Sequence, residues 1–236
     1  MQFSLKERYS ERIGKGYGNI DLTRDRILFG KREIETIILL AQYFFPQSIL
    51  SKHAENRLNN KEVRLIDIGC GDRYISYGCD HYGFEYDGID FGDCNVELDR
   101  IQRDESSFDI VIALALLEHL TDPSNLISEA YRILKKDGLL ILSTPNWKYC
   151  TKDFYDDPTH VHPYTPKSLN ELLKFSSFSS TKIVPNLRCQ QKKAYLGKSA
   201  YFRAANLRFF PNAKPYLWLP SCLRGKARGI FGISMK

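Results

Sequence analysis

The sequence has no long apolar run. Nothing in its 236 residues reaches the ~18 consecutive apolar positions of a membrane-spanning helix, and residues 1–10 are too polar for a secretory leader. Both absences set the expectation of a cytoplasmic protein. The six cysteines (Cys70, Cys79, Cys94, Cys150, Cys189, Cys222) are scattered and form no C-x-x-C pair. That argues against a zinc site or a disulfide framework and fits a reducing compartment. Acid is missing too: beyond Glu171 there is no Asp or Glu. Thirteen lysines and arginines follow it, so residues 172–236 carry +13. Residues 1–171 hold the other twenty-one bases and all twenty-eight acids, net −7, and the whole chain is +6. Two stretches of such opposite charge are expected to meet different partners.

What is present begins with a short apolar run, Val63 to Ile68, ending in Asp67-Ile68-Gly69-Cys70-Gly71. The run reads as a buried parallel strand, and its two glycines let the backbone turn and pass close to a ligand. A second run, Phe84 to Ile89, ends at Asp90, an acid placed to accept hydrogen bonds from ribose hydroxyls. The dinucleotide fingerprint would need glycine at position 74, where Tyr74 stands. Asp67 suits a cationic ammonium better than a pyrophosphate.

Asp67-x-Gly69-x-Gly71 with Asp90 behind it resembles motif I and the acidic motif of class I S-adenosylmethionine-dependent methyltransferases. Residues 108–112 resemble that family's fourth strand, 117–120 the element after it, and 134–146 its helix-turn-strand-five hairpin. The resemblance spans about residues 62–147. It implies an α/β, Rossmann-like fold: a seven-stranded, mostly parallel sheet with the last strand antiparallel and helices on both faces. It also implies S-adenosyl-L-methionine as cofactor, held by Asp67, Gly69, Gly71 and Asp90, with Asp99 at the end of strand three facing the adenine. One position departs from the pattern: Arg73 stands where the family often carries a third glycine. Its side chain either points away from the cofactor or meets the cofactor's carboxylate.

The organisation expected is an N-terminal helical extension over 1–60 and a methyltransferase domain over 61–236, with a basic aromatic insertion at 186–226 before the last strand. Ile34, Ile37, Ile38, Ala41, Phe44 and Phe45 have helical spacing and predict a helix over 31–45, closed by Pro46. It either packs on the sheet or serves as a lid, with Tyr9, Tyr17 and Arg32 as lid residues. Further helices are expected at 73–82, 123–136 and 166–175. Strands are expected at 95–98, 108–113, 139–143, 180–185 and 228–234.

Methyl transfer to a hydroxyl needs a positioned acceptor and a base to take its proton. His119, His160 and His162 are the bases expected. Glu118, His119 and His160 also resemble part of a divalent-metal site of O-methyltransferases acting in ubiquinone biosynthesis and on small RNAs. Ala115 stands where that pattern has its first glutamate, so the first expectation is no metal. The loop 157–166, the FGKRE helix and the basic tail look like methyltransferases of bacterial surface-polysaccharide and glycan pathways. That resemblance implies methylation of a sugar hydroxyl on an anionic nucleotide- or lipid-phosphate carrier. RNA 2′-O-methylation, a quinone-type small-molecule acceptor and a cofactor-binding module without chemistry are the alternatives. The tail itself reads as a substrate cover, a contact with an anionic membrane surface at the inner face, or a nucleic-acid contact.

Overall fold

The computed structural model describes residues 22–55, 63–186 and 228–236. Among them are six strands: β1 (Val63–Ile68), β2 (Phe84–Ile89), β3 (Phe108–Leu114), β4 (Leu134–Pro145), β5 (Ser180–Asn186) and β6 (Gly229–Met235). They form one sheet in the order β2-β1-β3-β4-β6-β5. β1 to β4 are parallel, and β6 runs antiparallel to both β4 and β5. The helices are α1 (Leu22–Phe44), α2 (Ile49–Glu55), α3 (Ile75–Tyr82), α4 (Ser124–Ile133), α5 (Trp147–Cys150) and α6 (Pro166–Lys174). No helix among the described residues is long and apolar enough to cross a membrane.

The central strands are apolar on both sides because both sides are covered. Val63, Leu65, Ile110, Ile112, Leu139 and Ile141 pack with Ile34, Ile37 and Leu40 of α1, Leu50 of α2 and Ile75 of α3. Their alternates Ile66, Ile68, Val111 and Leu140 pack with Leu126 and Ala130 of α4 and Leu169 of α6. α6 starts as its sequence requires: the Thr165 side chain caps it, Pro166 occupies the first turn, and Ser168 closes a capping box.

Three expectations are corrected. The sheet has six described strands, not seven, because 95–98 forms a turn. The Leu98 and Asp99 amides donate to the Asn95 carbonyl, at 2.9 and 2.7 Å, and Leu98 is 80% exposed. The helix expected over 123–136 stops at Ile133, since Leu134 is already extended and begins β4. Residues 135–138 find partners elsewhere: Lys135 Nζ donates to Asp109 Oδ2 at 2.8 Å, and Asp137 N donates to the Lys236 carbonyl at 3.1 Å. The helix expected from 31 begins at Leu22, with Gly30 inside it.

Gly30 and Gly78 explain each other. A Cβ on Gly78 would drive into the Gly30 carbonyl oxygen, and one on Gly30 into the Tyr74 carbonyl oxygen. α1 and α3 therefore cross backbone against backbone, and glycine is kept inside both helices despite its poor propensity. Tyr9 and Tyr17 lie outside the described residues, as do 187–226 of the basic insertion; Arg32 lies on α1.

The crossing yields a test with two opposed effects. Helix propensity alone favours Gly78→Ala by about 1 kcal/mol, whereas an overpacked contact costs about 1–3 kcal/mol and more against rigid backbone. The collision should win, with a net loss of about 2 kcal/mol in urea unfolding. A midpoint at or above wild type would show that the helices do not meet at these glycines.

Candidate functional site

The turn after β1 is left-handed at three places: Gly69 (φ 76°), Gly71 (φ 50°) and Arg73 (φ 59°). An added Cβ at Gly71 would meet nothing within 4 Å, so backbone conformation alone asks for glycine there. Arg73 takes up the same conformation, at a cost of roughly 1–2 kcal/mol for a residue with a Cβ. Its guanidinium reaches Asp93 at 3.9 Å, and both side chains are about half exposed.

β2 supports this turn from the side. Gly69 N and Cys70 N donate to the Ile89 carbonyl at 2.8 and 3.2 Å. Gly71 N donates to Asp90 Oδ2 at 2.6 Å, and Phe91 N to Asp90 Oδ1 at 2.7 Å. The next residue, Asp72, is paired with Arg26 of α1 at 3.0 Å. Asp67 lies on β1 beneath the turn and is buried. Burial pushes its carboxyl up to about 7, against the Tyr86 hydroxyl, which donates to it at 3.2 Å. Gly88 leaves room for that hydroxyl, since a Cβ there would come within 2.6 Å of it. The strand that was to carry Asp99 is absent; its carboxylate closes the 95–99 turn by accepting from Asn95 N at 2.9 Å.

The second half of the site follows β3, β1's neighbour. Here Gly69 has a steric reason as well: its Cβ would come 3.1 Å from the Leu116 side chain. The segment carrying Glu118 and His119 thus abuts the glycine turn. The loop after β4 closes onto it, as Val161 N and His162 N donate to the Glu118 carbonyl at 2.8 and 3.1 Å. That pairing brings Glu118, His119 and His160 together, one ligating atom of each lying within 4.8 Å of the others. The two imidazole centroids are 4.8 Å apart. His162 is not in this cluster; its ring stacks on Tyr164 at 4.5 Å.

A hydrogen bond fixes which nitrogen of His160 carries the proton. His160 Nδ1 lies 2.6 Å from the Phe154 carbonyl, which can only accept, so Nδ1 is the protonated nitrogen. His119 Nδ1 lies 2.9 Å from Thr159 Oγ1 and 3.3 Å from the Thr159 carbonyl. In its neutral form the His160 ring then carries the lone pair on Nε2, the atom a base or a metal ligand uses. Glu118 is buried; its Oε2 makes no close hydrogen bond among the described residues, and the Thr144 hydroxyl lies near enough to favour its ionised form. Burial pushes the Glu118 carboxyl up to about 7. Trp147, Phe154 and Tyr155 form an edge-to-face aromatic group reaching His160, with Phe154 4.6 Å from its ring and Tyr155 59% exposed. Sequence spacing pointed to the histidines. It gave no signal for Tyr86 or Thr159, whose roles come from long-range contacts, or for Asp157, which is paired with Thr159.

Residues 39–179 match the family described as "Methyltransferase domain". A ubiquinone biosynthesis O-methyltransferase of Pseudomonas aeruginosa is 30% identical over 103 residues, covering 35% of this chain and 44% of its own length. A probable S-adenosylmethionine-dependent methyltransferase of Mycolicibacterium smegmatis is 23% identical over 168 residues, covering 64% of this chain and 65% of its own. The chain thus spans less than half the length of the ubiquinone-pathway relative. Among solved structures, a SAM-dependent methyltransferase from Archaeoglobus fulgidus superposes with a TM-score of 0.52 at 24% identity, over 87% of this chain and 94% of that one.

Glu118 makes stability depend on pH. Its folded value near 7 lies above the ordinary 4.5, so its contribution is complete below 4.5 and fades as pH rises through about 7. Glu118→Gln cannot ionise. In chelator, thermal unfolding should find the variant level with wild type in acid and more stable above neutrality, by on the order of 2–3 kcal/mol. A variant that is less stable at alkaline pH would mean that the ionised carboxylate has a partner.

Proposed function

The chain belongs to the methyltransferase-domain family, and on that premise we propose that it moves the methyl group of S-adenosylmethionine onto an oxygen of its acceptor. The cofactor's ammonium meets Asp67, and its charge offsets the cost of ionising a buried carboxylate. Asp90 uses part of its acceptor capacity on the Gly71 and Phe91 amides. A carboxylate has about four lone-pair sites, and the rest serve the ribose hydroxyls.

The observation that carries the assignment to oxygen is the Glu118–His119–His160 cluster beside the glycine turn. The acceptor oxygen attacks the methyl carbon in line. A C–O bond would form as the C–S bond breaks and S-adenosylhomocysteine leaves, with Nε2 of a histidine, His160 first and His119 second, taking the acceptor's proton. His162, stacked on Tyr164, lies outside this cluster.

The acceptor we favour is a sugar hydroxyl on an anionic carrier. Gly229 pairs with both Pro145 and Asn186, so the basic segment between Asn186 and Gly229 leaves and rejoins the sheet at the end of β4 that leads to the histidine loop. Its composition, basic and without one acid, supports an anionic acceptor and contact with an acidic membrane surface. A quinone-type acceptor with a divalent ion is the second reading, favoured by the ubiquinone-pathway relative and by a Glu118 Oε2 without a close hydrogen bond among the described residues. The donor set of one carboxylate and two imidazoles fits such an ion. Held by Glu118, His119 and His160, it would lower the acceptor hydroxyl's pKa.

Calorimetry should detect S-adenosylmethionine binding that Asp90→Ala weakens by on the order of 2 kcal/mol; binding of NAD in its place overturns the reading. His160→Ala should lower kcat by about 10²–10⁴-fold with cofactor affinity unchanged. Turnover should survive EDTA, whereas loss restored by magnesium or manganese selects the second reading. Binding to acidic vesicles should fall steeply as salt rises, and equal binding to neutral vesicles discards the membrane contact.

A further inference from the structure

One buried group near the histidines has no part in the chemistry above. Thr159 is 6% exposed and sits between Asp157 and His119. Its hydroxyl donates to Asp157 Oδ1 at 2.6 Å, and its own amide donates to the same oxygen at 2.9 Å. A hydroxyl has one proton. With that proton committed to a carboxylate, Oγ1 can only accept from His119 Nδ1, 2.9 Å away. The Thr159 carbonyl, 3.3 Å from the same nitrogen, can also only accept.

We propose that Thr159, backed by Asp157, is a positioning residue that holds His119 with its proton on Nδ1 and its lone pair on Nε2. Asp157 acts on His119 through the threonine. Its other oxygen, Oδ2, lies 4.0 Å from His160 Nε2, where it would face the imidazolium formed once that nitrogen takes a proton. The Phe154 carbonyl does for His160 what Thr159 does for His119. The two imidazoles are thereby given the same tautomer by different means. The chemical use of that tautomer rests on the reading that these histidines serve the acceptor; the lock itself does not.

The test is made on the full chain labelled with ¹⁵N-histidine, in chelator, at a pH where the rings are neutral. Long-range proton–nitrogen spectra separate the two tautomers, and a His119→Gln variant identifies the resonances. Wild type should show His119 protonated on Nδ1. Thr159→Val, which keeps the shape and the backbone carbonyl, should lower the tautomer ratio by roughly fivefold, the worth of one ordinary hydrogen bond. Thr159→Ser should restore it. Asp157→Ala should shift the ratio the same way by freeing the threonine proton to compete for Nδ1, and it serves if the valine variant does not fold. A wild-type His119 protonated on Nε2, or a ratio unmoved in the valine and alanine variants alike, overturns the proposal. In turnover, kcat should fall in Thr159→Val and recover in Thr159→Ser, with KM for S-adenosylmethionine unchanged. A tautomer shift without a fall in kcat sustains the lock and instead overturns the assignment of His119 to the acceptor.

Discussion

The carboxyl edge of this sheet depends on how near the chain after β3 can come to the turn after β1. At Gly69 the approach is close enough that a Cβ would press on the Leu116 side chain. The same residue has φ of 76°, so steric room and backbone conformation ask for the same amino acid. Leu116 leads directly into Leu117, Glu118 and His119. Widening that contact would carry the acid–histidine pair away from the glycine turn and from the loop that brings His160.

Two buried acids at this edge show how differently the same cost is met. Asp67 and Glu118 are both buried, and both carboxyls are pushed up to about 7 by burial. Asp67 has a phenol from β2 as a hydrogen-bond donor. Glu118 has an oxygen with no close hydrogen bond among the described residues. On the proposed reading each would be completed by a cation, Asp67 by the ammonium of S-adenosylmethionine and Glu118 by a proton or a metal ion. Neither burial is explained by fold stability alone, because an ionised carboxylate left unpaired in a core costs several kcal/mol.

The legibility of these features in the sequence follows their range. Asp67, Gly69, Gly71 and Asp90 form a motif because each turn has local requirements: positive φ, a strand end, an acid one strand over. The capping box of α6 is local in the same sense. Seven strands were expected and six are described, because 95–98 closes on itself through Asn95 and Asp99, a choice that apolar pattern does not register. Helix α4 stops early because Lys135 and Asp137 have partners in β3 and at the chain end, which is tertiary information. Gly78 is a poor residue for a helix interior, and the reason for it is Gly30, forty-eight positions away in sequence. The Asp157–Thr159–His119 chain joins two loops and carries no signature of its own.

β5 and β6 are sheet partners from Ser180↔Met235 to Asn186↔Gly229, yet 42 residues separate Asn186 from Gly229. For an antiparallel pair, two residues would suffice. The entropy lost in closing a connection grows only with the logarithm of its length, so doubling it costs about 0.6 kcal/mol. The hydrogen-bonded register, not the length of the excursion, therefore fixes where the two ends emerge. A connection that starts and ends at this register can be lengthened, shortened or recharged at little cost to folding, while the pairing of β5 with β6 stays as it is.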